Sequence, residues 1–138
     1  MHANRSMPAG TITAVLHYAD VPQAVDWLCR SFGFTERLRI GSHRVQLQVG
    51  DGAVVVTDGG ASASTASATH SIMVRVADVD AHHAWAQAAG ATIHSPPTTQ
   101  PYGERQYSVT DIGGHQWTFS QTVADVDPAD WGGDLIAP

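Results

Sequence analysis

The stretch Tyr18-Ala19-Asp20-Val21 recurs later in the chain as Val76-Ala77-Asp78-Val79. In both places the Asp is followed seven residues on by a Trp, at Trp27 and Trp85, and then by Gly-x-Thr, at Gly33 and Gly90. A repeat of this length is the mark of one supersecondary unit duplicated within a chain.

Working outward from each copy gives the same unit. Before the first Asp, Ile12, Ala14 and Leu16 alternate with Thr13, Val15 and His17, and a period of two predicts a strand. Asp20 sits where a helix N-cap belongs, with Gln23 at the capping-box position. Val21, Ala24, Val25, Leu28 and Phe32 then recur at helical spacing, and Gly33 stops the helix. In the second copy Ile72, Val74 and Val76 alternate with Ser71, Met73 and Arg75. Asp78 caps a helix with an expected inner stripe of Ala81, Ala84, Trp85 and Ala88, and Gly90 ends it. Three strands are expected after each helix. They fall near 34–40, 44–49 and 53–57, and near 91–94, 105–110 and 115–121, parted by Gly-rich turns.

The reading is therefore α+β, with two tandem βαβββ modules at 10–58 and 70–121 inside a single domain at 10–128. Residues 1–9 read as a loose arm. Residues 59–69, rich in Ala, Ser and Thr, read as a flexible linker. The acidic C-terminal tail at 129–138 carries Trp131 as a candidate anchor.

Composition narrows the function. The formal net charge is −6, which disfavours a phosphate backbone as partner. All seven basic residues are Arg, so lysine Schiff-base chemistry is excluded. No apolar run approaches the roughly 18 residues of a membrane span. Cys29 is the single cysteine, which rules out an internal disulfide and fits a reducing cytoplasm. HExxH and GxSxG signatures are absent, and Gly50-Asp51-Gly52 is too short to cradle phosphate.

The stretch Pro101-Tyr102-Gly103-Glu104-Arg105-Gln106-Tyr107, continuing through Asp111-Ile112-Gly113-Gly114-His115-Gln116-Trp117-Thr118-Phe119, resembles the vicinal oxygen chelate superfamily. It is most similar to its glyoxalase/bleomycin resistance (PhnB-like) branch. Such proteins curve two modules into a mixed sheet around a cleft, and commonly form homodimers, some with swapped modules. The metal enzymes among them place ligands on the first and last strands of each module. Carried over, those positions are Thr13, Ser71, Thr118 and a residue near Val56. None offers the imidazole, carboxylate or thiolate that a divalent metal needs.

The resemblance and the strand parity together define a candidate ligand set. Thr13, Ser71 and Thr118 supply hydroxyls. His17 shares the parity of Thr13, while Met73 and Arg75 share that of Ser71. Tyr102 and Tyr107 offer aromatic surface. His82-His83 reads as a solvated pair, and Trp27, Trp85 and Trp117 as packing. The implied function is a metal-free and cofactor-free protein, with no catalytic residue, that sequesters a small aromatic or apolar natural product or antibiotic. The alternative is an enzyme of the same superfamily, a lyase, isomerase or dioxygenase. The expected partners are that ligand and a second copy of the chain, with neither nucleic acid nor membrane.

Overall fold

The computed structural model describes residues 4–59 and 70–137. The expected linker at 59–69 lies outside the described residues except for Gly59. The described residues form two compact units, one spanning Met1–His70 together with the turn Asp111–His115, the other Ser71–Thr110 and Gln116–Pro138. Each unit is a βαβββ module.

The first unit runs β1 (Ala14–His17), α1 (Val21–Phe32), β2 (Thr35–Ile40), β3 (Arg44–Val49) and β4 (Gly52–Thr57). Its sheet order is β1-β4-β3-β2, with β1 parallel to β4 and the other pairs antiparallel. Local chemistry sets the helix limits. The Asp20 side chain accepts from the Gln23 amide at 3.0 Å, Pro22 lies in the first turn, and Gly33 closes the end at φ 79°. A left-handed residue there costs Gly nothing. The expected stripe of Val21, Ala24, Val25, Leu28 and Phe32 is buried, together with Leu16, Val45, Leu47, Val54 and Val56.

The second unit runs β5 (Ile72–Arg75), α2 (Val79–Ala88), β6 (Thr92–Thr99), β7 (Glu104–Thr110) and β8 (Gln116–Thr122). Its order, β5-β8-β7-β6 with β5 parallel to β8, repeats that of the first unit. Asp78 accepts from the Ala81 amide at 3.0 Å, the counterpart of the Asp20 cap. Strand β6 runs well past the expected 91–94 and takes in Pro96-Pro97. It is an edge strand with register shifts, where a missing ladder donor is tolerated.

The buried side of α2 differs from the expectation. Val79 and Ala86 are buried, His82 and His83 are half-buried, and Ala81, Ala84, Trp85 and Ala88 are exposed. The inner stripe is 79-82-83-86, an i, i+3, i+4, i+7 set in its own right. Polarity scoring passes over it because two of its four members are His. Aromatic packing fixes this phase. The His82 ring lies 4.1 Å from that of Phe119, and its Nδ1 is 2.6 Å from the Tyr107 hydroxyl. His83 meets Tyr107 edge-on at 5.1 Å. His82-His83 is therefore part of the helix–sheet contact, and Trp85, at 64 % exposure, lies outside it.

Candidate functional site

The alternation along each strand sorts the candidate residues between a helix side and a far face. In the second unit Tyr107, Val109, Trp117 and Phe119 are buried on the helix side, and Tyr107 is fully buried. Its ring stacks on Phe119 at 5.4 Å, and burial drives its hydroxyl pKa well above the phenolic value. Tyr107 is thus core, which corrects its assignment to the ligand set. One strand step separates it from the face where Gln106 and Ser108 lie.

Met73, Arg75 and Thr118 share the far face. Met73 registers with Thr118, and Arg75 with Ser120. Met73 is 65 % exposed and Arg75 is exposed. Thr118 Oγ1 lies 3.4 Å from Ser108 Oγ. Ser71 precedes β5 and is exposed.

A polar chain that sequence reasoning missed runs along this face. The Tyr102 hydroxyl donates to Gln106 Oε1 at 3.0 Å, Gln106 Nε2 donates to Ser120 Oγ at 3.1 Å, and Ser120 Oγ donates to Glu104 Oε1 at 2.7 Å. Hydrogen bonds from Thr122 and Ser120, aided by the charge of Arg75, hold the Glu104 carboxyl below the usual range. The period-two parity of Glu104, Gln106 and Ser108 was the signal that could have found this chain. The structure thus gathers Met73, Arg75, Tyr102 and Thr118 around fixed polar groups. Tyr102 also carries the tail. Its ring lies 5.4 Å from that of Trp131, at the end of a short 3-10 helix, Pro128–Trp131, capped by Asp127.

In the first unit Thr13 is half-buried just before β1, and His17 is exposed on β1. His17 Nδ1 lies 3.1 Å from the Asp58 carbonyl, which can only accept, so this nitrogen carries the proton. Val15 and His17 register with Val55 and Thr57 on the far face. Val56 points to the helix side, fully buried between Leu16 and Val45 in the ladder. On the helix side a concavity of about 330 Å³ is bordered by Val21, Val25, Cys29, Glu36 and Val45. Burial, then the charges of Glu36 and Asp26, pushes the Cys29 thiol up, away from thiolate character.

Among the described residues no three His, Cys, Asp or Glu side chains cluster in a way that could hold a metal ion. The donor set does not fit a divalent cation. Thr13, Ser71 and Thr118 are hydroxyls, and the one carboxylate of the second far face, Glu104, is engaged by Thr122, Ser120 and Arg75.

Fold and far faces together define a tandem βαβββ protein of the glyoxalase type. The sequence matches the Glyoxalase/Bleomycin resistance protein/Dioxygenase superfamily over residues 12–119, and the chain belongs to that superfamily. It is similar to the solved structure of TioX from Micromonospora sp. ML1, with 36 % identity, 86 % of this chain and 100 % of that chain covered, and a TM-score of 0.69. The fold is shared with FosX, a genomically encoded fosfomycin resistance protein from Listeria monocytogenes, at 16 % identity, 83 % and 94 % coverage and a TM-score of 0.66. It is shared also with a lactoylglutathione lyase from Agrobacterium tumefaciens, at 15 % identity, 83 % and 94 % coverage and a TM-score of 0.63. No curated protein matches this chain. No helix among the described residues is long and apolar enough to cross a membrane.

Proposed function

We propose that this protein is a binder that sequesters a small, largely apolar or aromatic molecule of the antibiotic or natural-product kind. The supporting observation is the Tyr102–Gln106–Ser120–Glu104 chain beside exposed Met73 and Arg75. Ligand sites join an adaptable apolar wall to a few polar groups held in fixed orientation. Met73 supplies the wall, Arg75 a cation for a ligand oxygen, and Thr118 and Ser71 neutral hydroxyls. Thr13 and His17 are assigned the same role on the first unit. Membership of a superfamily that includes bleomycin resistance proteins supports the reading, as does a fold shared with FosX. The working form is a homodimer in the cytoplasm.

The second reading, an enzyme, draws on the fold shared with a lactoylglutathione lyase and on Glu104 as a carboxylate beside Met73, Arg75 and Thr118 on the far face of the second unit. Its hydrogen bonds favour the ionised form and so weaken it as a base. A thermal-shift panel of aromatic natural products and antibiotics tests the choice, because a ligand that binds only the folded state raises Tm by mass action. Binders should emerge and be recovered unchanged after incubation. Recovery of a converted product, or a stoichiometric metal on the purified chain, would favour the enzyme.

A further inference from the structure

Part of the segment 1–9, expected to be loose, is tied to the far face of the first sheet through Arg5 and Ser6. Arg37 Nη2 donates to the Arg5 carbonyl at 3.1 Å, and Gln46 Nε2 donates to the Ser6 carbonyl at 2.8 Å. Arg37 Nη1 in turn donates to Gln46 Oε1 at 2.6 Å, which orients both donors. Gln46 is only 3 % exposed and registers with Val55, likewise 3 % exposed. Arg37 sits at the register shift between Glu36 and Leu38, the kind of irregularity that re-aims a side chain. The arm itself is preformed. The Met7 amide donates to the Asn4 carbonyl at 3.2 Å, and the Ser6 amide to Asn4 Oδ1 at 3.0 Å, closing a tight turn that presents two neighbouring carbonyls.

The buried Gln46 amide is costly to leave without an acceptor, and the exposed Arg37 guanidinium is locked to it. The acceptors they have in the described part of the arm are two backbone oxygens. We infer that Arg37 and Gln46 form a seat for two adjacent carbonyl oxygens, that the N-terminal turn is its resting occupant, and that a ligand presenting carbonyls as a peptide turn does must displace the arm to use it. The seat itself stands apart from the proposed function; only the displacing ligand rests on that reading.

The chain supplies its own reporter. It has no Lys, and of its seven Arg only Arg5 lies outside helix and strand. Trypsin therefore cuts the native protein at Arg5–Ser6 when the arm lifts. Cleavage followed by mass spectrometry on the full chain measures the lifted population. Gln46→Leu, and separately the exposed Arg37→Ala, should speed this cut about five-fold, with circular dichroism unchanged. The probe is a synthetic peptide of residues 4–8 carrying Arg5→Ala, acetylated and amidated. At about 10 mM, needed against a tethered competitor, it should speed the cut in the natural chain and leave both variants unaffected. Equal rates in the natural chain and the folded Arg37→Ala variant would overturn the seat. A peptide without effect would overturn its reading of carbonyls. A thermal-shift binder that leaves the rate unchanged would overturn displacement while the proposed function stands. Protection dependent on Arg37, peptide competition and no binder in the panel would support the seat and count against that function.

Discussion

The Tyr18 hydroxyl donates a 2.6 Å hydrogen bond to Asp111 Oδ2, across 93 residues of chain. Asp111 Oδ1 meanwhile accepts from the Gly113 and His115 amides, both at 2.9 Å, and His115 Nε2 lies 2.9 Å from the His17 carbonyl. The turn that joins β7 to β8 is thereby built into the first unit around Tyr18. Asp111 and His115 are thus structural residues of this turn. Tyr18→Phe removes the phenolic donor from a buried carboxylate and should cost about 1–3 kcal/mol. Urea denaturation at neutral pH measures it, and a loss within error would show that the turn is held without the Tyr18 hydroxyl.

Gly113 is required for space. A Cβ there would lie 2.4 and 2.6 Å from two ring carbons of Tyr18, itself 3 % exposed and unable to swing away. Gly113→Ala should therefore destabilise by about 1–3 kcal/mol, as overpacking does. Gly50, at φ 58°, has open space around it, with no atom within 4 Å of where a Cβ would sit. Its change to Ala should cost only the left-handed strain of about 1 kcal/mol. Combining Gly113→Ala with Tyr18→Ala should cost less than the sum of the two single changes, read from a double-mutant cycle.

Alkaline pH should weaken the fold. Burial, then the negative charge of Asp111, raises the Tyr18 pKa far above that of free phenol, and burial raises that of Tyr107. A raised pKa means that the folded state holds its proton where the unfolded state has lost it. The resulting stability is complete below the unfolded value of about 10 and is lost as pH climbs above it. Unfolding free energy measured from pH 8 upward should stay level and then fall beyond about pH 10. The fall should be shallower in Tyr18→Phe and in Tyr107→Phe.

The two aromatic positions of the second unit should part sharply in cost. Tyr107→Ala empties a fully buried site beneath α2 and should cost about 3–5 kcal/mol. Trp85→Ala, at 64 % exposure, should cost within about 0.5 kcal/mol. Chemical denaturation of both proteins checks this. A large loss at Trp85 would restore the helix phase expected from the sequence.

Arg75→Ala should weaken any ligand found in the thermal-shift panel, by about ten-fold if it pairs with a ligand oxygen. Tyr107→Phe should leave that affinity unchanged, since the ring faces the helix. Light scattering should report about twice the 14.6 kDa chain mass for both variants and the natural protein. Binding indifferent to Arg75 would remove the far face of β5 from the site.

Whatever depends on neighbours within a turn or two was legible in the residues alone. The caps at Asp20 and Asp78, the stop at Gly33, the stripe of α1 and the duplicated βαβββ order are set by local hydrogen bonding and by periods of 2 and 3.6. Hydroxyls at Thr13, Ser71 and Thr118, the positions that the resemblance implies for metal ligands, were equally legible. What depends on distant partners had to wait for the folded chain. Tyr107 and Gln106 are adjacent in sequence and lie on opposite faces, and only the register against β8 says which is which. His82 is drawn inward by Phe119 and Tyr107, which outweigh its polarity and turn Trp85 to the surface. Arg37 and Gln46 carry no motif. They matter because a bulge and a strand ladder bring a guanidinium and a buried amide to the carbonyls of residues some thirty to forty positions earlier.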